Sequence, residues 1–185
     1  MRHPRRRGGS GIRYLIDRRE FIVSACGALL WPFAAPVRAR AAATLPDATR
    51  TALAESPYVY VSPLRSDGSE SRCHGEVWFG WIDGAVVVNT SPDRWKARAI
   101  GRGLDRARIW VGDFGRWKKV VGKNEAFRGG PRFDARAEIA NETGLIDVLL
   151  AQYDVKYPAE IARWRDKMKQ GVADGSRVMI RYRPL

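Results

Sequence analysis

The stretch from Val86 to Ile100 reads VVVNTSPDRWKARAI, and the interpretation of the whole chain turns on it. Three β-branched residues, Val86, Val87 and Val88, mark the end of a buried strand. Asn89 and Thr90 leave that strand. Ser91 suits an N-cap, Pro92 a first helical position and Asp93 the positive end of a helix dipole, which predicts a helix over residues 92–100. Arg94, Lys96 and Arg98 then alternate, too close in sequence to share one helical face. Free N–H groups, hydroxyls and cations converge where a strand breaks into such a turn, so Thr90–Arg98 is a candidate phosphate site. The competing interpretation is an ordinary strand–turn–helix with solvated arginines.

Outward from this stretch the chain reads as short strands joined by tight turns. On the N-terminal side, Asp83-Gly84 is a hairpin signal joining Ala85–Asn89 to a long strand over Arg72–Ile82. Ser66-Asp67-Gly68-Ser69 turns that strand back onto Tyr58–Ser62. A short helix over Leu45–Glu55 ends before Pro57. On the C-terminal side, Ala107–Gly112 forms a fourth strand, Arg116–Val121 is a candidate fifth, and the Gly-rich, basic segment from Gly122 to Pro131 is a loop. Phe133–Ile139 alternates apolar and charged residues, as a half-buried strand does. Two helices, Thr143–Tyr153 and Pro158–Met168, precede a last alternating strand, Val178–Tyr182. About six antiparallel strands with few helices predict a mainly β fold, a closed or partly closed barrel. No Gly-x-Gly-x-x-Gly follows a strand and no Gly-Lys-Ser/Thr loop occurs, which argues against a parallel nucleotide-binding sheet.

The 185 residues are 45% hydrophobic and 10% aromatic, enough for one domain with a real core. The net charge of +13 points at first to nucleic acid. Residues 1–43, however, hold nine arginines against Asp17 and Glu20, so seven of those thirteen charges sit there and the remainder interleaves both signs. That distribution argues against nucleic acid as partner. The N-terminal segment has a basic start, an apolar run from Phe21 to Val37 broken by Pro32 and Pro36, and small residues at Ala39–Ala43. These are the parts of a secretory signal, and the run is too short and interrupted for a stable membrane span. Arg18-Arg19-Glu20-Phe21-Ile22 resembles the twin-arginine export motif, with Asp17 in place of the usual Ser/Thr. The expectation is a removed signal over 1–43, passage through the twin-arginine translocase, a periplasmic or secreted destination, and one domain over 44–185. Cys73 then remains the single cysteine of the mature chain. With two widely spaced histidines it makes no metal site, and Cys73-His74 reads as a partly buried structural pair.

The order of these elements resembles the pyridoxamine 5′-phosphate oxidase-like split barrel, an antiparallel Greek-key fold that binds flavin mononucleotide (FMN) or, in some branches, F420 or haem-derived ligands. The family string Thr-Ser-x-x-Ser-x-Lys-x-x-Asn-Leu has its counterpart in Thr90-Ser91-Pro92-Asp93-Arg94-Trp95-Lys96-Ala97-Arg98-Ala99-Ile100. Thr90, Ser91 and Lys96 match it, Arg94 stands at the second Ser, and Ala99-Ile100 replace Asn-Leu. The resemblance implies that Thr90, Ser91, Arg94, Lys96 and Arg98 contact the cofactor phosphate, and that Val77, Trp78 and Phe79 lie beneath the ring. Trp78 and Phe79 point to opposite faces of a strand, so only one of their side chains can meet it. It further implies an exported homodimeric oxidoreductase passing two electrons to or from a small molecule, with a non-catalytic flavin-, F420- or haem-binding protein as the alternative. The motif positions no acid or base, because the cofactor supplies the chemistry.

Overall fold

A computed structural model describes residues 44–116 and 124–185. The predicted export signal and residues 117–121 of the candidate fifth strand lie outside the described residues, and Arg116, its first residue, is not in a strand. In chain order the elements are α1 (Asp47–Glu55), β1 (Val59–Pro63), β2 (Gly75–Val77), β3 (Gly80–Ile82), β4 (Ala85–Thr90), α2 (Trp95–Gly101), β5 (Arg106–Val111), a 3₁₀ turn (Ala126–Gly129), β6 (Arg132–Ala140), α3 (Leu145–Lys156), α4 (Pro158–Ile161), α5 (Arg165–Ala173) and β7 (Val178–Pro184).

The strands form one antiparallel sheet in the order β2-β1-β5-β6-β7-β4-β3. Its two outermost members, β2 and β3, are consecutive in sequence and separated only by Trp78 and Phe79. The predicted strand Arg72–Ile82 is therefore split. Its first half pairs with β1 and its second with β4, so the sheet curls into a six-membered ring closed through the split strand. The fold is an antiparallel split barrel.

Alternation sorts the side chains. Val59, Val61, Phe79, Val86, Val88, Ile109, Val111, Ala135, Ile180 and Tyr182 fill the interior. Outside, α3–α5 cover Val87 and Met179 with Leu149, Leu150 and Tyr153. A separate patch stacks Phe127, on the 3₁₀ turn, against Tyr60 at 4.8 Å and sets it edge-on to Trp110. That turn lies within the stretch predicted as loop. The Asp83-Gly84 hairpin forms as predicted, with positive φ at both residues (50° and 71°), the geometry whose twist matches the flanking strands.

All four predicted helices differ from expectation at their boundaries, α1 beginning at Asp47 rather than Leu45. The helix predicted over 92–100 starts at Trp95, with Arg94 in extended geometry at the cap position. Ser91 is not its N-cap: its hydroxyl bonds the Asp93 carboxylate, and its carbonyl accepts from the Arg94 N–H at 3.2 Å, closing a turn over Pro92-Asp93. The Thr143–Tyr153 helix starts at Leu145, after Gly144 at φ +80°, and runs on to Lys156. The Pro158–Met168 helix is two pieces, because the Arg163 and Trp164 N–H groups reach back three residues to Glu160 and Ile161 and tighten the turn.

What holds the split open is a row of side chains on α3. Continuing the β3–β4 register one step past Phe79 brings Trp78 opposite Asn89, and continuing β1–β2 brings Phe79 opposite Pro57. Both ladders are interrupted by a tyrosine hydroxyl. Tyr153 Oη donates to the Trp78 carbonyl at 3.0 Å, and the Asn89 backbone lies near enough to favour its ionised form. Tyr157 Oη accepts from the Phe79 N–H at 3.2 Å and donates to the Pro57 carbonyl. Gln152 serves the outer edge of β3, accepting from the Trp81 N–H at 2.8 Å and donating to its carbonyl at 2.9 Å. Burial raises both phenol pKa values, so the hydroxyls stay protonated and can donate. Leaving a buried backbone group unpaired costs about 1–3 kcal/mol. Tyr157→Phe is accordingly expected to lower unfolding free energy by about 1–3 kcal/mol in urea titrations; a loss below about 0.5 kcal/mol, the scale of an ordinary surface change, would show that the hydroxyl does not maintain the split.

Candidate functional site

The split creates the site. Across Trp78-Phe79 the chain leaves β1 for β4, and the β3–β4 register continued back past Phe79 runs Val77 toward Thr90 without strand pairing between them. Helix α2 crosses one end of the split: Trp95 packs at Gly75, where an added Cβ would meet its ring at 3.5 Å. At the other end lies a cavity of about 550 Å³ walled by Tyr58, Val77, Trp78 and Trp164, with Glu76, Asp113, Glu160, Arg116 and Arg163 around them. That volume lies within the usual range of small-molecule sites.

Trp78 presents only part of its ring to this cavity. One face stacks on Tyr157 at 4.4 Å and 10°, and Tyr153 meets it edge-on at 5.9 Å. Phe79 is fully buried in the barrel interior with Lys156 Nζ 3.6 Å from its ring centroid. Its N–H and the Trp78 carbonyl are both taken by the tyrosine hydroxyls, so neither is offered to a ligand. Of the two aromatic candidates, Trp78 is on the cavity and Phe79 is in the core.

The predicted phosphate residues are dispersed around α2. Thr90 is buried at the end of β4, Ser91 is half-buried, and Arg94 and Arg98 are exposed. Lys96 does not line the Trp78 cavity. It lines a small interior void at the barrel end with Val61, Ala137 and Tyr182, whose buried hydroxyl has no partner among the described residues. Burial, together with the neighbouring Arg94 cation, pushes the Lys96 ammonium down to about 8, and no carboxylate among the described residues offsets this. Asp93 is held below the usual carboxylate range by the Ser91 hydroxyl.

Two features escaped sequence analysis. Lys156 donates to the carbonyls of Leu53 and Ser56 at 3.2 and 3.3 Å, tying the end of α1 to α3, and burial pushes it down to about 8. The second is a polar cluster on the outer face of β1 and β5. Ser62 Oγ lies 2.5 Å from His74 Nδ1, Arg128 Nη2 lies 3.2 Å from His74 Nε2, and Arg128 Nη1 donates to Glu70 at 2.9 Å. Arg108 bonds Asp134 at 2.7 and 3.1 Å and Glu70 at 3.3 Å. Burial tends to raise the Glu70 carboxyl, but Arg128, Ser62 and Arg108 outweigh it and the net direction is down. Ser62 is fully buried, and Glu70 and Ser62 both address the same imidazole nitrogen. The cluster therefore has no exposed nucleophile and acts as a clasp between the 3₁₀ turn and the sheet. Of the pair read as partly buried, His74 is the buried member and Cys73 is exposed. The signal that could have found the clasp, Glu70 four residues before His74, depends on partners far away in sequence.

No family model matches the chain, and no curated protein matches it. Solved structures of similar fold include HutZ, the haem storage protein of Vibrio cholerae (13% identity over 74% of this chain and 87% of that one, TM-score 0.47). A candidate pyridoxamine 5′-phosphate oxidase from Listeria innocua is 10% identical over 74% and 90% (TM-score 0.47). An F420 reductase is 18% identical over 76% and 96% (TM-score 0.43). Each is a likeness of fold.

The Lys96 environment yields a signed prediction. Its folded pKa of about 8 lies below its ordinary value, so the folded state disfavours the charged form. That penalty is complete below pH 8 and disappears as pH rises toward about 10.4, the unfolded value. Lys96→Met, which orphans no partner, is expected to stabilise the protein by about 1–3 kcal/mol at neutral pH and to lose this advantage near pH 10. Chemical denaturation at both pH values checks it, and equal or lower stability of the variant at pH 7 would contradict it.

Proposed function

We propose that this chain is an exported split-barrel protein that binds a phosphorylated flavin-type cofactor, FMN in the first instance, and uses it for two-electron transfer with a small molecule. The observation that carries this proposal is the split strand: it walls an aromatic cavity at Val77-Trp78, and its register with β4, continued past Phe79, runs Val77 toward the hydroxyl turn at Thr90-Ser91. An aromatic ring system linked to a phosphate is the ligand chemistry suited to such a pair of surfaces. In this proposal Trp78, Tyr58 and Trp164 flank the ring and keep water from it. Thr90, Ser91, Arg94 and Arg98 receive the phosphate, and the uncompensated Lys96 ammonium adds positive potential at α2. A flavin, when bound, supplies the two-electron chemistry, and the protein's part is binding and orientation. The structures of similar fold include a haem storage protein and an F420 reductase, which makes haem and F420 the alternative ligands to test. The same proposal takes residues 1–43 as a twin-arginine signal and the mature protein as a homodimer.

Absorbance spectra of protein purified from the exported fraction, followed by titration with FMN, F420 and haem, test the ligand. Binding of FMN, weakened by about 1.5–3 kcal/mol in Arg94→Ala and by less in Lys96→Ala, is the expected result. A colourless preparation that binds none of the three overturns the proposal, whereas ligand binding without turnover of any reductant selects the non-catalytic alternative. Export is tested separately: replacing Arg18 and Arg19 by Lys is expected to abolish accumulation outside the cytoplasm, and undiminished accumulation would refute the twin-arginine route.

A further inference from the structure

Between the two covered patches on the outside of the barrel, β5, β6 and β7 leave a strip of sheet whose register arranges charges in rows. In one row Arg108 stands opposite Asp134, bonded at 2.7 and 3.1 Å. In another Glu138 stands opposite Arg181, bonded at 3.3 Å. The row between them holds Arg106, Arg136 and Arg183, each directly opposite the next. All three are exposed. Like charges directly opposed on neighbouring strands are destabilising, and the flanking rows show that this sheet otherwise pairs opposite signs. The compensation present is thin. Arg136 reaches Asp105 at 3.6 Å, Arg183 shares Glu138 with Arg181, and Arg106 makes no ion pair among the described residues. A leucine flanks the row on each side. Continuing the registers places Leu104 opposite Glu138 and Leu185 opposite Asp134, and both leucines are exposed, at 38% and 40%.

We infer that this strip docks on an anionic phospholipid surface. Guanidinium groups match phosphate oxygens two hydrogen bonds at a time. The flanking leucines are what separates a lipid surface from a soluble polyanion, because apolar side chains gain free energy by entering the interfacial layer and gain nothing from a dissolved phosphate. Held against such a surface, the row changes from mutual repulsion to a matched set of contacts.

The full chain is tested by co-sedimentation with vesicles of phosphatidylcholine alone or mixed with phosphatidylglycerol. The N-terminal arginines contribute equally to every variant. Arg106→Gln/Arg136→Gln/Arg183→Gln is expected to lower partitioning onto the anionic vesicles roughly a hundredfold, at about fivefold per arginine near the surface. Arg65→Gln/Arg72→Gln/Lys167→Gln removes the same charge elsewhere and is expected to lose far less. Arg106→Gln alone orphans no partner, so its loss of about fivefold reads the strip even if the triple variant folds poorly. Leu104→Ser/Leu185→Ser is expected to weaken vesicle binding while leaving inorganic polyphosphate binding unchanged. Equal losses in the two triple variants, or no loss in Arg106→Gln, overturn the proposal. Vesicle binding indifferent to both leucines assigns the strip to a soluble polyanion, and a change in oligomeric mass without a change in vesicle binding assigns it to a second copy; either result overturns it.

Discussion

Two phenol hydroxyls decide the shape of this protein. One strand, Gly75–Ile82, has to serve two different neighbours, β1 with its first half and β4 with its second. At the crossing point backbone groups on both sides lose their ladder partners, and buried backbone groups are not left unpaired. Tyr153 and Tyr157 occupy those two places and Gln152 a third: Tyr153 donates to one backbone group, and Tyr157 and Gln152 each accept from one and donate to another. A hydroxyl can do this because it is donor and acceptor at once, and its phenol ring fills the widened space with apolar surface. Helix α3 thereby stands in for a length of missing strand.

The cavity follows from the same interruption. Because the ladders part at Trp78, the walls on either side belong to different neighbours and stay apart, while Tyr157 buttresses Trp78 from behind by stacking. Lys156 and Lys96 are both partly desolvated, for different reasons. Lys156 is satisfied by carbonyls at the end of α1, and Lys96 has no compensating anion among the described residues. The first ties the scaffold together; the second keeps positive potential at the barrel end at a cost in stability, the exchange often met where a binding surface is maintained.

The outer surface divides by what covers it. Helices α3–α5 close one patch, and the 3₁₀ turn, pinned through Arg128 to Glu70 and His74, closes another. The uncovered strip between them shows its charge rows because register, once set by the buried alternate residues, leaves the outward residues no freedom to choose their neighbours.

Local signals were legible because they need only near neighbours. The valine run of β4, the Asp83-Gly84 hairpin and the alternation along β6 and β7 follow from steric preference and period, and they determined a mainly β antiparallel fold. The turn after Thr90 was legible too, but not its detail: Ser91 has the chemistry of an N-cap and is diverted to Asp93, a choice between partners two residues apart that propensity does not rank. Only the tertiary structure decided that Arg72–Ile82 is two strands, that Trp78 faces a cavity while Phe79 faces the core, that Lys96 lines the barrel end, and that Phe127 is an anchor within apparent loop. Each of these depends on groups dozens of residues distant, brought together when the ring closes. A sequence states what each residue can bond; which bond it makes depends on closing a barrel whose members meet only in three dimensions.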